Sequence, residues 1–407
     1  NWFVQNAFFS FAWVNGKSFH VLNGFLLWMA NCYWLLNFAQ AEKKQKVKLY
    51  HWVGLVLIVV GVMTLGSEAP APSTDMPTAY LSWLAAFCLL EFFDDQDKIM
   101  ALFAGMLLLT FAGVVKISIA PVFLMASFIF LWLIKGKKWR EVVIILFSMA
   151  FLMIPWMVRN VIVSGYLVYP VAATGAPVEW RVPEETTAGD ARTIQAWGYH
   201  SRMPSKEVFE LTLRERINVW FHNNTRNQQA IFLISLGSPV LLFAQQLLQY
   251  PKRKKDWKWL PSCVFVSFYI GLLFWLVTSP NLRFGYVYLL FLISTAASAL
   301  LMIFLSITHW KDSRFLHQAA LVGMVVFSVF ILLRSYEPET IAARLVAPRD
   351  YSDRSTVPCE INNGETTIFC AADYGECSYH DFPCHAWGND HVLLVGDDFL
   401  DGFILEE

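Results

Sequence analysis

Four charged side chains lie beside long apolar stretches of the sequence, namely Asp75, Lys116, Arg159 and Arg283, and Asn160 directly follows Arg159. A carboxylate can bind a metal ion, or it can act as a general base that removes the proton of a sugar hydroxyl. A lysine can hold a phosphate as a point charge, and an arginine can bind one with its planar fork of N–H groups. Because charged groups beside a bilayer are costly, these five residues are the candidate site.

Each charged candidate also has a structural interpretation that the sequence leaves open. Asp75 precedes Pro77 in a pattern typical of a helix start, where an acidic residue can serve as the N-cap. Lys116 can extend toward the lipid headgroups, because its long aliphatic stem tolerates an apolar surrounding. Arg159 and Arg283 can anchor the ends of membrane spans.

The elements that must position these residues are membrane helices. Apolar residues make up 56% of the chain and charged residues only 15%, whereas soluble domains contain about 25% charged residues. Uncharged stretches recur at close to the ~20 residues that a helix needs to cross a bilayer, which predicts an all-α polytopic membrane protein with about ten transmembrane helices. The predicted spans are 20–40, 49–66, 79–93, 99–115, 117–134, 141–158, 229–249, 260–278, 286–307 and 316–334.

The first nineteen residues differ from these spans. Residues 1–19 are rich in aromatic side chains, which prefer the headgroup boundary. We predict that they form the interfacial end of an outer loop, with a partial span as the alternative. Since the chain begins at Asn1 and no secretory signal pattern precedes the first apolar stretch, we expect that it lacks its N-terminus.

Lysine and arginine in the short loops predict the orientation of the helices. Basic residues concentrate at 43–48, 135–140, 252–258 and 311–314, and these loops share one side if the ten spans alternate. That side is therefore predicted to be cytoplasmic, although the loop 91–98 is acidic. The outer side then receives the loop 67–78, Lys116, the long loop 159–228, the turn 278–285 and the C-terminal region.

The C-terminal region, residues 335–407, changes character and is predicted to be a separate extracytoplasmic domain. It is polar, contains strand-like runs such as HVLLVG, and has a turn signal at Asn363-Gly364. Four cysteines on an oxidising face predict two disulfides that staple a small β-rich domain, and three pairings are open. A metal site that also uses His380 and His385 is the alternative. The four cysteines are Cys359, Cys370, Cys377 and Cys384.

Motifs of soluble nucleotide chemistry are absent from the sequence. It contains no Walker loop, no dinucleotide fingerprint and no HExxH, so ATP-driven transport has no support within the chain. The long outer loop has no metal-ligand or catalytic-triad spacing, and no metal ligand is assigned. The net charge of -1 gives no sign of a nucleic-acid partner, and none is expected.

The order of several motifs provides a resemblance. The run KISIAPVFLMASFIFLWLIKGKKWR followed by PWMVRNVIVSGYLVYP is similar to the middle of GT-C glycosyltransferases, which are polytopic enzymes that use polyprenyl-phosphate sugars. The motifs PAPSTD, VVKISIAP, SPNLRFG and DFPCH…DDFLDGF extend a resemblance to an uncharacterised family of bacterial multi-pass membrane proteins that are distantly GT-C-like. Together these motifs cover most of the chain.

The resemblance implies a function and roles for the candidate residues. Asp75 matches the acidic residue of a second outer loop, and Lys116, Arg159 with Asn160, and Arg283 match positions suited to the phosphate of the lipid donor. It implies transfer of a sugar from a polyprenyl phosphate to a glycan acceptor, outside the inner (cytoplasmic) membrane of a bacterium, in polysaccharide or glycolipid assembly of the cell envelope. A divalent metal ion as cofactor is left open.

One departure from the GT-C pattern matters. The main catalytic acid of those enzymes usually lies in the first outer loop, and this chain begins near the end of what would be that loop, so the base is expected upstream of Asn1. Two functions from other classes stay open: a non-enzymatic transporter of lipid-linked glycans, and a scaffold protein of the cell envelope whose cysteine-rich tail binds a partner.

Overall fold

The structure is a computed structural model. It describes residues 22–66, 73–249, 260–308, 310, 313–334, 356–361, 366–371, 384–385, 392–394 and 403–405. The predicted interfacial segment 1–19 and the basic loop 252–258 lie outside these residues. The chain divides into two compact units, of which one is His20–Leu332 and the other contains Leu333–Glu407.

The first half of the helical unit confirms the prediction of an all-α protein. Each predicted span up to residue 158 overlaps a helix, and a short 3₁₀ segment follows Lys116, which lies between the predicted spans 99–115 and 117–134. Pro155 lies inside the sixth helix without ending it, and Gly165 ends that helix at φ 76°. These helices are α1 (Leu22–Lys43), α2 (Leu49–Leu65), α3 (Asp75–Asp94), α4 (Ile99–Val115), a 3₁₀ helix (Ile117–Phe123), α5 (Leu124–Lys135) and α6 (Trp139–Ser164).

The second half begins with the long outer loop, which contains helices of its own. A 3₁₀ turn (Ala172–Thr174) and three helices occupy this loop, so it is an ordered part of the fold. Four long apolar helices follow it. The elements are α7 (Glu184–Tyr199), α8 (Ser205–Glu210), α9 (Leu213–Asn223), α10 (Arg226–Gln249), α11 (Leu260–Thr278), α12 (Leu282–Ile307) and α13 (Arg314–Arg334).

Seven helical segments of the described chain are long and apolar enough to cross a membrane, which makes this an integral membrane protein. Three further spans of the predicted ten stay a prediction: α2 and α4 are shorter apolar helices, and α1 is not among the seven. The seven are Asp75–Asp94, Ile117–Lys135, Trp139–Ser164, Arg226–Leu248, Pro261–Thr278, Leu282–Ile307 and Arg314–Ile331.

The core of the bundle lies around α3 and α12. Trp34 of α1 packs its ring against Tyr80, Trp83 and Phe87 of α3, with centroids 5.9, 6.4 and 5.5 Å away. Trp83 also donates a hydrogen bond from Nε1 to the carbonyl oxygen of Val287 in α12, at 2.9 Å. These contacts fix the N-terminal halves of α3 and α12 beside each other, which brings their first residues to the same end of the bundle.

The described part of the tail contains short strands. One sheet has the order β1-β2-β3, with β1 and β2 antiparallel and β2 and β3 parallel, and β4 pairs with β5 in a second, antiparallel sheet. Cys370 in β2 is disulfide-bonded, while Cys32 and Cys88 of the helical unit are free thiols. The side chains of Cys359, Cys377 and Cys384 lie outside the description, as do His380 and His385, so the two-disulfide staple stays a prediction. The strands are β1 (Thr356–Ile361), β2 (Thr366–Ala371), β3 (Cys384–His385), β4 (Val392–Leu394) and β5 (Phe403–Leu405).

Candidate functional site

Asp75 is the first residue of α3 and the centre of a charged cluster. Its side chain is only 5% exposed, and each carboxylate oxygen has a cationic partner: Lys116 on Oδ1 and Arg283 on Oδ2. The N-cap of α3 is Thr74, not Asp75, so the capping interpretation of Asp75 is wrong. The Ser73 hydroxyl adds a bond to Oδ2 at 3.3 Å. The carboxylate thus joins three segments of the bundle.

Lys116 reaches Asp75 because helix α4 ends at Val115. The backbone of Lys116 is extended, at φ −156° and ψ 115°, before the 3₁₀ helix begins at Ile117. Tyr288 of α12 holds that 3₁₀ helix by donating its hydroxyl to the carbonyl oxygen of Ser118 at 2.7 Å. With its side chain 20% exposed and ion-paired to Asp75, Lys116 does not extend freely to the headgroups.

Arg283 is positioned by the turn between α11 and α12. Asn281 is the N-cap of α12, and its side-chain oxygen accepts a bond from the backbone N–H of Arg283 at 3.0 Å. Trp275 closes the turn by donating from Nε1 to the carbonyl oxygen of Asn281 at 2.8 Å. From this fixed backbone the Arg283 guanidinium donates to Asp75 Oδ2 from Nε at 3.1 Å and lies 3.0 Å from it through Nη2.

The three ionised side chains carry one positive charge in excess, because two cations face one carboxylate. Arg283 remains 51% exposed on its side chain, so this positive charge is accessible. The Lys116 ammonium also lies over the Phe284 ring, 4.3 Å from its centroid, which stabilises a cation without neutralising it. A cation pair at the end of apolar helices, with the arginine half-exposed, is suited to bind an anionic group.

The helices of the outer loop dock beside this cluster. Gly198 of α7 lies directly against Ser279, whose hydroxyl donates to the carbonyl oxygen of Ile194 at 3.0 Å. The Tyr199 hydroxyl donates to the carbonyl oxygen of Leu276, also at 3.0 Å. Trp197 then contacts Phe284 with ring centroids 5.9 Å apart. The long loop therefore forms one wall next to Lys116 and Arg283, which sequence spacing did not reveal.

Arg159 and Asn160 do not join the ion pairs of Asp75. Arg159 is exposed near the end of α6. Asn160 donates from Nδ2 to the carbonyl oxygen of Leu167 at 3.1 Å, and thereby orders the chain that follows Gly165. A role for these two residues in binding a lipid phosphate stays a prediction.

A divalent metal ion does not fit the Asp75 cluster. Both carboxylate oxygens already bind cationic groups, and an excess of positive charge repels a further cation. Among the residues that the structure describes, no group of three or more His, Cys, Asp and Glu side chains could hold a metal ion.

A second polar cluster lies at the other end of α3, around Glu91. Its Oε1 accepts bonds from the Tyr33 hydroxyl and from Asn37 Nδ2 of α1, and Oε2 pairs with Lys98 at 3.1 Å. Sequence reasoning treated the acidic loop 91–98 as an exception to the charge bias and missed this cluster. A glutamate within the apolar run LLEFF was the available signal. Sixteen residues of α-helix place Glu91 about 24 Å from Asp75 along the axis.

Within the outer loop, Tyr169 and Asp190 form a tight pair. The Tyr169 hydroxyl donates to Asp190 Oδ2 and so ties the segment after Gly165 to helix α7. Partial burial, followed by the hydrogen bond to Asp190, raises the pKa of Tyr169 to about 12. This pair strengthens the docking of α7 without contributing to the cation pair.

Comparison with known proteins gives one family. Residues 1–290 match the model of a family described as Domain of unknown function (DUF8201). No curated protein and no solved structure matches the chain.

Proposed function

We propose that this chain, which belongs to the DUF8201 family, is a GT-C-like membrane glycosyltransferase that uses a polyprenyl-phosphate-linked sugar on the extracytoplasmic face. The observation that carries the proposal is the convergence of Lys116 and Arg283 on Asp75, with one positive charge in excess. The phosphate of a lipid donor is negatively charged and so complements the positive charge of this cluster. The isoprenoid tail of the donor is apolar and so can pack against the apolar helices.

The chemistry of sugar transfer assigns a task to each group. The acceptor hydroxyl forms a bond to the anomeric carbon while the bond from that carbon to the phosphate oxygen breaks, and the polyprenyl phosphate leaves with the electron pair. Lys116 and Arg283 stabilise the negative charge that develops on this leaving group. The acceptor proton goes to a carboxylate. Asp75 can accept it, because Oδ1, which pairs with Lys116, has a further lone pair.

The proposed orientation places the Asp75 cluster outside and the Glu91 cluster at the cytoplasmic side. The concentration of lysine and arginine at 43–48 and 135–140 supports this assignment. The same rule places the tail from residue 335 outside. A bacterial inner membrane is the corresponding location, since the lipid-linked donor must reach the outer boundary of the bilayer that holds the enzyme.

Transfer assays in reconstituted membranes test the proposal. The full-length protein is offered a panel of polyprenyl-phosphate sugars together with glycan acceptors, alongside Asp75→Ala and Arg283→Ala. We expect product from the wild type and a loss of at least about 100-fold in both variants, which is the scale of removing a donor to a developing anion. Asp94→Ala, which removes a carboxylate from the other end of α3, is the control and should retain transfer. Full transfer by both site variants would refute the site assignment.

A transporter of lipid-linked glycans is the second candidate, favoured by one observation. Tyr80 Oη, Trp34 Nε1 and Ser294 Oγ are buried in the bundle without a hydrogen-bond partner among the described residues. Buried polar atoms of this kind are typical of sites that receive water or a polar ligand. Movement of a fluorescent lipid-linked sugar between leaflets, with no transfer product from any donor, would favour this candidate over the enzyme.

A further inference from the structure

Trp197 is an unusual residue for its surroundings. It lies on α7 between residues that are buried: Ala196 is 2% exposed and Tyr199 3%. Trp197 itself is 41% exposed, although tryptophan is largely buried on average. One side of its indole contacts Phe284 at a tilt of 47°, which leaves much of the remaining ring surface uncovered.

The uncovered indole belongs to a continuous series of contacts that ends at the cations. Phe284 follows Arg283 in the first turn of α12, and its ring also carries the Lys116 ammonium. Trp197, Phe284 and Lys116 are therefore linked through a single ring. A ligand whose anionic group binds the cation pair meets an aromatic surface directly beside that group.

We infer that Trp197, supported by Phe284, is a binding residue for the sugar ring of a ligand whose phosphate binds Lys116 and Arg283. The inference rests on the proposed function and deepens it. The C–H faces of a pyranose are apolar and flat, so they pack on an indole, while the hydroxyls at the ring edge remain hydrated. A glycosyl phosphate is the ligand class that matches both the aromatic surface and the cation pair, because it joins a sugar ring directly to an anion.

The docking of α7 gives this subsite a fixed position. The hydroxyls of Tyr199 and Ser279 bridge α7 and the end of α11, and Gly198 allows their backbones to approach closely. Helix α7, which carries Trp197, is thus docked against the same turn that orients Arg283. A fixed aromatic surface costs less conformational entropy on binding than a mobile one.

Binding to three defined amphiphiles tests the subsite. The probes are decyl phosphate esterified to methanol, decyl phosphate esterified to glucose, and decyl glucoside, each titrated against the full-length protein in detergent. The two phosphate diesters carry the same single negative charge, and the methyl diester is called decyl phosphate below. We expect the glucose ester to bind wild type about 2- to 13-fold more tightly than decyl phosphate, the range of one aromatic contact worth about 0.5–1.5 kcal/mol. Trp197→Ala should remove this preference and leave the affinity for decyl phosphate unchanged.

Matched controls separate this role from a structural one. Trp180 is 56% exposed in the same outer loop, but it donates from Nε1 to the carbonyl oxygen of Val161 and contacts neither cation; Trp180→Ala should therefore retain the preference for glucose. Trp197→Leu keeps apolar volume without a flat ring and should lose the preference even if Trp197→Ala unfolds. The thermal midpoint of each variant reports whether α7 remains docked.

The outcomes distinguish the subsite from the proposed function. Equal affinity of wild type for decyl phosphate and its glucose ester would overturn the subsite and leave the phosphate site standing. Equal weakening of both ligands by Trp197→Leu would assign the indole to the decyl chain or a membrane phospholipid instead. If decyl glucoside binds wild type but not Trp197→Leu, and decyl phosphate does not bind, the proposed phosphate site is wrong and the sugar contact of Trp197 is retained. Binding of none of the three would overturn both.

Discussion

Arg283 and Asp75 are 208 residues apart in the sequence, yet the guanidinium of Arg283 donates from Nε to Asp75 Oδ2 at 3.1 Å and places Nη2 3.0 Å from the same oxygen. The contact joins the N-terminus of α12 to the N-terminus of α3. Because Lys116 occupies the other oxygen of the carboxylate, the pair belongs to a three-residue unit at one end of the bundle. Its removal should therefore affect both stability and ligand binding.

The first prediction concerns the contribution of this three-residue unit to the free energy of unfolding. In Asp75→Asn, Lys116 and Arg283 lose the anion between them and repel each other, so we expect a loss of about 2–4 kcal/mol in unfolding free energy. Asp94→Asn is the matched control, because the Asp94–Lys48 pair lies at the other end of α3 with both side chains about one third exposed. Its loss should stay within about 1 kcal/mol. Chemical unfolding in detergent measures both, and equal losses would contradict the assignment.

A second prediction concerns Asn281, the N-cap residue of α12 that orients Arg283. In Asn281→Ala, the backbone N–H of Arg283 loses its acceptor, and we expect a loss of about 0.5–2 kcal/mol with weaker binding of decyl phosphate. Thr212→Ala removes a comparable cap from α9, where the Thr212 hydroxyl accepts a bond from the N–H of Glu215 at 3.4 Å. That variant should lose similar stability with unchanged affinity for decyl phosphate. Titration with decyl phosphate distinguishes the two variants. An equal loss of affinity in Asn281→Ala and Thr212→Ala would show that Asn281 does not position Arg283 for phosphate binding.

The two glycines of α7 provide a third prediction. A Cβ on Gly198 would lie 2.7 Å from the Cα of Ser279, whereas a Cβ on Gly189 would meet nothing within 4 Å. Gly198→Ala should therefore undock α7 and expose the loop 171–228 to protease. Gly189→Ala should stabilise the helix by up to about 1 kcal/mol, because alanine replaces glycine without a clash. Limited proteolysis followed by mass spectrometry measures this, and equal cleavage rates would argue against docking through Gly198.

The fourth prediction is a pH dependence of the outer loop. Burial and the Asp190 carboxylate raise the pKa of Tyr169 from 10.0 to about 12. A group whose pKa is raised on folding contributes stability that is present below the unfolded value and lost above it, here between about pH 10 and 12. Difference absorbance of wild type against Tyr169→Phe should detect this ionisation. In Asp190→Asn, the midpoint should fall toward 10, and an unchanged midpoint would remove Asp190 as a cause.

Orientation in the membrane is the fifth prediction. A cysteine introduced at Gly189 should react with a membrane-impermeant maleimide added to intact spheroplasts. One introduced at Gln96, in the exposed turn after α3, should react only after the membrane is opened. The unmodified chain supplies the background from its own cysteines. The reverse pattern would invert the topology and place the Asp75 cluster in the cytoplasm.

The sequence by itself determined the class of the fold, since the length and spacing of its apolar stretches leave few alternatives to membrane helices. The sequence also identified the candidate residues, because a charged side chain beside a membrane span is costly unless it has an ion-pair partner or binds a ligand. Asp75, Lys116 and Arg283 were identified in this way, before any contact between them could be known.

Only the tertiary structure decided which candidates meet. The ion pairs of Asp75 span 41 and 208 residues, and no local pattern encodes contacts over such separations. They depend on the packing of α3 against α12, which residues such as Trp83 establish far from the charges. Arg159 carries the same local signal as Arg283, but it is exposed on α6 and is not one of the two ion-pair partners of Asp75. The local sequence therefore identifies candidate residues for a site, and the packing of helices that are distant in the sequence determines which of these residues come into contact.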